Sequence, residues 1–105
     1  MKGRPKKYRY IHNDPKISQF SPRGKPGRPN EINLTLDQYE SLRLADFLGL
    51  RQVEAAKSMN ISQQTFSRIL KSARKILTEA LVEGKIIKIQ GGTYVITDLQ
   101  KENQP

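Results

Sequence analysis

From Thr35 to Gly84 apolar residues recur at helical spacing, and the pattern breaks at Gly49, at Asn60 and at Gly84. Glycine and asparagine adopt left-handed backbone at least cost, so each break reads as a helix end. Thr35 is a good N-cap, and Gln38 three residues later completes a capping box. Leu36, Tyr39, Leu42, Ala45 and Leu48 then follow at steps of three, widened by Leu44 and Phe47, which predicts a first helix over about 36–48. A second helix over about 52–59 is expected to bury Val53, Ala56 and Met59, with Ala55 alongside. Ile61 then plugs inward and Ser62 caps a third helix over about 63–83. Its apolar face is Phe66, Ile69, Leu70, Ala73, Ile76, Leu77, Ala80 and Leu81. A chain of 105 residues has room for one such domain with tails.

Helix, tight turn and helix between Gln52 and Lys71 is the spacing of a helix-turn-helix. This unit presents its second helix on a convex surface able to enter a major groove about 12 Å wide. The polar residues of that helix fit the role. Gln63, Gln64, Thr65, Ser67 and Arg68 crowd its first turns and are the candidate base-reading residues. Gln pairs with adenine, Arg with guanine, and Thr meets the thymine methyl. Ser62, Lys71, Arg74 and Lys75 are the candidate DNA-backbone contacts. No acidic residue stands between Glu54 and Glu79, whereas a face kept merely soluble usually mixes signs.

The charge of the chain is segregated. Residues 1–29 hold nine Lys or Arg against Asp14 alone, a net +8, and residues 30–105 carry only +1. Five of the six prolines lie in the same stretch, which excludes a long helix there. A basic extended arm suits a phosphate backbone, where each neutralised phosphate releases counterions. Its candidate contacts are Arg4, Lys6, Lys7, Arg9, Arg23, Lys25 and Arg28. Two Gly-Arg-Pro cores, at Gly3-Arg4-Pro5 and Gly27-Arg28-Pro29, are of the kind that slides into a narrow minor groove. Within the arm, Tyr8, Tyr10 and His12 alternate with Arg9 and Ile11, so residues 7–12 read as a short strand.

Other functions find little support. The chain has no cysteine and a single histidine, His12, which excludes disulfides, thiolate metal sites, cysteine nucleophiles and a histidine metal cluster. No catalytic residue, metal site or cofactor is expected, and the chain does not read as an enzyme. No apolar run approaches the roughly 20 residues of a membrane span, and the basic start lacks the apolar stretch of a secretory signal. A cytoplasmic, nucleoid-associated location follows as an expectation.

Beyond Gly84 the apolar period changes to two. Ile87 and Ile89 alternate with Lys88 and Gln90, Gly91-Gly92 offers a two-residue turn, and Thr93 to Thr97 returns. The expected β-hairpin places Gln90 opposite Thr93, Ile89 opposite Tyr94 and Ile87 opposite Ile96. A lone hairpin with open edges invites a partner strand, so this segment is the expected site of self-association into a dimer.

At this point the sequence resembles a known family. Leu34-Thr35-Leu36-Asp37, Glu40-Ser41-Leu42-Arg43-Leu44-Ala45-Asp46, Gly49-Leu50 and Glu54-Ala55-Ala56 resemble an uncharacterised family of small bacterial and archaeal predicted DNA-binding proteins. So do Ile61-Ser62-Gln63-Gln64-Thr65-Phe66, Ser72-Ala73-Arg74-Lys75, Ala80-Leu81-Val82-Glu83-Gly84-Lys85 and Gly91-Gly92, with Arg4-Pro5 and Phe20-Ser21-Pro22 upstream. The helix-turn-helix of that family is similar to region four of sigma factors, and the resemblance implies a DNA-binding fold. Two positions depart from it: Arg51 stands where such proteins tend to have Ser or Thr, and Asn60 where Gly is usual. Some relatives carry a further metal-cofactor-like domain, which this chain is expected to lack.

The expected protein is mainly α: a basic arm (1–33), a three-helix domain (34–84), a C-terminal β-hairpin (85–97) and a flexible tail (98–105). Its expected partner is double-stranded DNA, and its expected role is transcription regulation. RNA binding and a protein-interaction module of the transcription machinery are the competing readings.

Overall fold

The computed structural model describes residues 8–24 and 27–97. Three strands, β1 (Arg9–Ile11), β2 (Gln19–Phe20) and β3 (Glu31–Leu34), precede α1 (Leu36–Leu42), α2 (Gln52–Ser58) and α3 (Gln63–Glu83). Strands β4 (Ile86–Ile89) and β5 (Tyr94–Ile96) follow. No helix among the described residues is long and apolar enough to cross a membrane.

The helix ends lie where their capping chemistry puts them. The Thr35 hydroxyl accepts the Gln38 N–H and the Gln38 side chain accepts the Thr35 N–H at 2.9 Å, so the capping box is complete. Asn60 takes φ +61° after Met59, and the Asn60 and Ile61 amides return to the carbonyls of Lys57 and Ala56. Gly84 closes α3 in left-handed backbone. Arg51 has no side-chain acceptor to cap α2, but the Glu54 carboxylate reaches back to the Arg51 N–H at 3.1 Å and supplies half of a box.

The first helix departs from expectation. After Leu42 it widens into a π-helical turn, Arg43–Phe47, closed by the Leu48 N–H on the Arg43 carbonyl. Wider turns rotate the residues that follow off the α-helical stripe. Phe47 and Leu48, expected inside, are therefore 81% and 50% exposed. In α2 the inward positions belong to Ala55, Ala56 and Met59, and Val53 is 43% exposed rather than buried. The two small alanines let α3 approach closely, which leaves Val53 on the outer flank.

Two apolar clusters form. Leu44, Ala55, Ala56, Met59, Phe66 and Leu70 make the first, within the helices. Ile11, Leu34, Leu36, Ala73 and Ile89 make the second, between the helices and the strands. Burying one side chain of the size of Phe66 contributes roughly 2–3 kcal/mol.

The expected β-hairpin does not form. Strand β4 lies between β3, which runs parallel to it, and β2, which runs antiparallel, so both of its edges are occupied. Strand β5 pairs instead with β1, in parallel, with Arg9 opposite Tyr94 and Ile11 opposite Ile96. The link between β4 and β5 is a crossing over the start of α1. The Gly91 carbonyl accepts the Leu36 N–H at 3.0 Å, and a Cβ on Gly92 would lie 2.7 Å from Asp37 Oδ1. The glycines allow that close approach at positive φ (+82° and +104°) rather than a two-residue hairpin turn.

Nor is the N-terminal third one extended arm: from Arg9 to Leu34 it supplies three of the five strands among the described residues. Buried charges hold it down. Glu40, fully buried, accepts from Arg43 Nε and Nη2 at 2.8 and 2.9 Å and from the His12 backbone N–H at 3.1 Å. The His12 ring fixes its own tautomer. Nε2 faces the Ser58 carbonyl at 2.9 Å and must donate, so in the neutral ring Nδ1 accepts from the Thr97 hydroxyl.

Candidate nucleic-acid interface

The turn that presents α3 is held from both sides. Met59 and Phe66 are fully buried on either side of it, and Ile61 packs on the same cluster. Strand β1 braces it from outside: the Tyr10 N–H donates to the Met59 carbonyl at 3.0 Å, next to the His12 bond to Ser58. The carbonyls ending α2 are thereby satisfied by the N-terminal segment.

The first turn of α3 divides into capping and exposed residues. The Ser62 hydroxyl accepts the Thr65 N–H at 3.0 Å and donates to Thr65 Oγ1 at 2.9 Å. Ser62, a candidate DNA contact, thus spends its hydroxyl on the cap, and Thr65, another candidate, is half-buried beside it and accepts the Ser62 proton. Gln63, Gln64, Ser67 and Arg68 are exposed, and none of their side chains has a hydrogen-bond or ion-pair partner among the described residues. At 100° per residue Gln64, Arg68, Lys71 and Lys75 fall on one stripe, with Gln63 and Ser67 along its flank. Lys71 and Lys75 are exposed as well, and Lys75 lies close enough to Glu79 to help hold that carboxyl below its usual range, after the larger effect of Lys85. The start of α3 is therefore a polar face with one cation, Arg68, and side-chain donors that are unpaired among the described residues.

Other candidates stand elsewhere. Arg74 is bound through two nitrogens to Asp46, at 3.0 and 2.7 Å, off the stripe on the side of α1. Those hydrogen bonds, foremost, lower the Asp46 pKa. The sequence carried a signal for this, since Arg74 lies between Leu70 and Leu77 on the edge of the apolar stripe. Arg9 pairs with Asp37 at 3.1 Å, and its buried Nε has no partner. Period-two alternation puts Arg9 on the face of the buried Ile11, which was the signal available there. Arg23 and Arg28 are exposed but lie by the other end of α3. Pro22 borders a cleft with Ala80, Leu81 and Gly84, and the Asn30 carbonyl accepts the Ile86 N–H. That end is about 30 Å along the helix from Ser62. Arg4, Lys6, Lys7 and Lys25 lie outside the described residues.

Residues 1–97 match the family described as protein of unknown function DUF134. The chain belongs to that family. Relatives of the DUF134 chain include a UPF0251 protein of Prosthecochloris aestuarii, 45% identical over 102 residues, which are 96% of this chain and 66% of the relative. A UPF0251 protein of Methanococcus vannielii is 50% identical over 96 residues, 90% of this chain and 74% of the relative. One of Thermoanaerobacter pseudethanolicus is 42% identical over 96 residues, 90% and 81% of the two chains. The chain thus spans about two thirds of the Prosthecochloris relative. No solved structure matches it.

Proposed function

We propose that this chain is a DNA-binding protein acting as a transcription regulator, and that the start of α3 reads bases in the major groove. The observation that carries the reading is the exposed face of Gln63, Gln64, Ser67 and Arg68, partnerless among the described residues, directly after a rigid turn. Gln and Arg offer the bidentate geometries that distinguish adenine and guanine in the major groove. Lys71 and Lys75 continue the same stripe toward the phosphates. Arg74 and Arg9 drop out of the contact set because their guanidiniums are committed to Asp46 and Asp37.

One observation favours RNA as the competing partner. Tyr8 and Tyr10, 51% and 37% exposed, stand beside the turn and offer ring faces on which unpaired bases stack. Gel shifts with duplex DNA, single-stranded DNA and RNA at one fixed salt concentration separate the two. Duplex DNA is expected to bind tightest, and selection from random duplexes is expected to converge on one motif. Tightest binding to RNA or single strands, or no motif from selection, contradicts the proposal.

A further inference from the structure

Phe47, Leu81 and Phe20 are 81%, 81% and 53% exposed, and all three border one groove of about 820 Å³. Tyr39, Leu42, Leu77 and Ile87 form its walls. It lies on the C-terminal half of α3, away from the reading face. We infer that this groove is the self-association surface of the protein, and that a second copy of the chain occupies it.

Three observations favour a second copy. A protruding aromatic knob, Phe47, stands at the rim of an apolar hole on the same surface, so two copies related by a two-fold axis can each insert Phe47 into the other. The two charged residues that line the groove, Arg43 and Asp46, are already paired within one chain. Asp46 pairs with Arg74, and Arg43 with Glu40. In a chain of net charge +9, this lining therefore adds little repulsion between two copies, and its one cation, Arg43, is already taken up by Glu40. Phe20, Phe47 and Leu81 alone present on the order of 400 Å² of surface. That is about half of the ~800 Å² per partner that a standard interface buries, and the groove walls and paired rim offer ground for the remainder.

Self-association through this face stands independently of the DNA reading; its consequence for site spacing rests on that reading. Gln64 lies 13 residues before Leu77, about 20 Å along the helix. Two chains joined at the groove would hold their reading faces up to roughly 40 Å apart, commensurate with half-sites one DNA turn (34–36 Å) apart.

Sedimentation equilibrium on the full chain, on Phe47→Asp, on Leu81→Asp and on Val53→Asp tests the inference. Val53 is an exposed apolar residue of α2 outside the groove, so its variant reports the general effect of an added charge. The full chain and Val53→Asp are expected to be dimers at micromolar concentration. Phe47→Asp and Leu81→Asp are each expected to raise the dissociation constant by roughly 30-fold or more, the scale of an interface hot spot. Circular dichroism of the groove variants is expected to keep the parental helix content, since both side chains are solvent-facing in one chain. A monomeric full chain overturns the inference. So does a dimer that survives both groove substitutions, or one that Val53→Asp dissociates equally. Dissociation as stated in a protein that binds no DNA would sustain the interface while removing the DNA reading.

Discussion

The two apolar clusters differ in how they are assembled. Every member of the helical cluster lies between Leu44 and Leu70, so it closes through short connections around the Asn60 turn. The other cluster gathers Ile11, Leu34, Leu36, Ala73 and Ile89 from nearly the whole chain, and its strands pair across long separations. Loop-closure entropy makes the first cheap to form and the second slow. The strand layer nevertheless braces the turn between α2 and α3, because β1 satisfies the carbonyls at the end of α2 and His12 spans from Ser58 to Thr97. A local unit presents the exposed polar face of α3, and a non-local one holds it still.

The largest expected effect comes from the helical cluster. Phe66→Ala should cost about 3–5 kcal/mol and Ile11→Ala about 2–5 kcal/mol. In a domain whose total stability is on the order of 5–15 kcal/mol, both should lower a single cooperative unfolding midpoint. Denaturant titration followed by circular dichroism and by tyrosine fluorescence checks this. Separate transitions in Ile11→Ala would show that the strand layer melts without the helices and would break the proposed bracing.

Smaller, and specific to the strand layer, is the effect of filling the crossing over α1. Gly92→Ala combines positive φ with a contact on the Asp37 carboxylate and should cost about 1–3 kcal/mol. Gly91→Ala meets nothing within 4 Å and should cost about 1 kcal/mol from backbone strain alone. Equal costs at the two glycines would favour the hairpin turn that the structure replaces.

That hairpin shows where the sequence stops being informative. Helix ends were legible because Thr35, Gln38, Asn60, Ser62 and Gly84 act within a few residues of themselves. The short strand at Arg9–Ile11 was legible from alternation, but its partner was not. A period of two says which residues share a face and nothing about which of five strands lies alongside. Ile87 faces Ile32 and Phe20 rather than Ile96 because β2 and β3 reach β4 from distant parts of the chain. The exposure of Phe47 was hidden for another reason: a π-helical turn leaves no period of its own in five residues. The exposed polar face of α3 was visible as polar residues at helical spacing, whereas the pairing of Arg9 and Arg74 depended on Asp37 and Asp46, each 28 residues away.

The smallest expected stability effect belongs to the Asp46–Arg74 pair, which ties α3 to the π-helical turn. A double-mutant cycle of Asp46→Asn and Arg74→Gln should give a coupling of about 0.5 kcal/mol, since the pair is half exposed. Because Arg74 lowers the folded-state pKa of Asp46, the contribution is present above the ordinary aspartate range. It should vanish as pH falls through the lowered value. Urea midpoints measured as pH falls should show a shallower pH dependence for Asp46→Asn than for the parent.

The central claim is that the start of α3 reads bases while the stripe beyond it only holds phosphates. Its most direct test is fluorescence anisotropy with the selected duplex and a scrambled one, at several salt concentrations, for Arg68→Ala and Lys71→Ala. Arg68→Ala should lose about 1–3 kcal/mol on the selected duplex and less on the scrambled one, narrowing the preference between them. Lys71→Ala should weaken both duplexes alike and reduce the salt slope by about one. An Arg68→Ala variant that keeps the full parental preference, while losing affinity equally on both duplexes, would contradict the account.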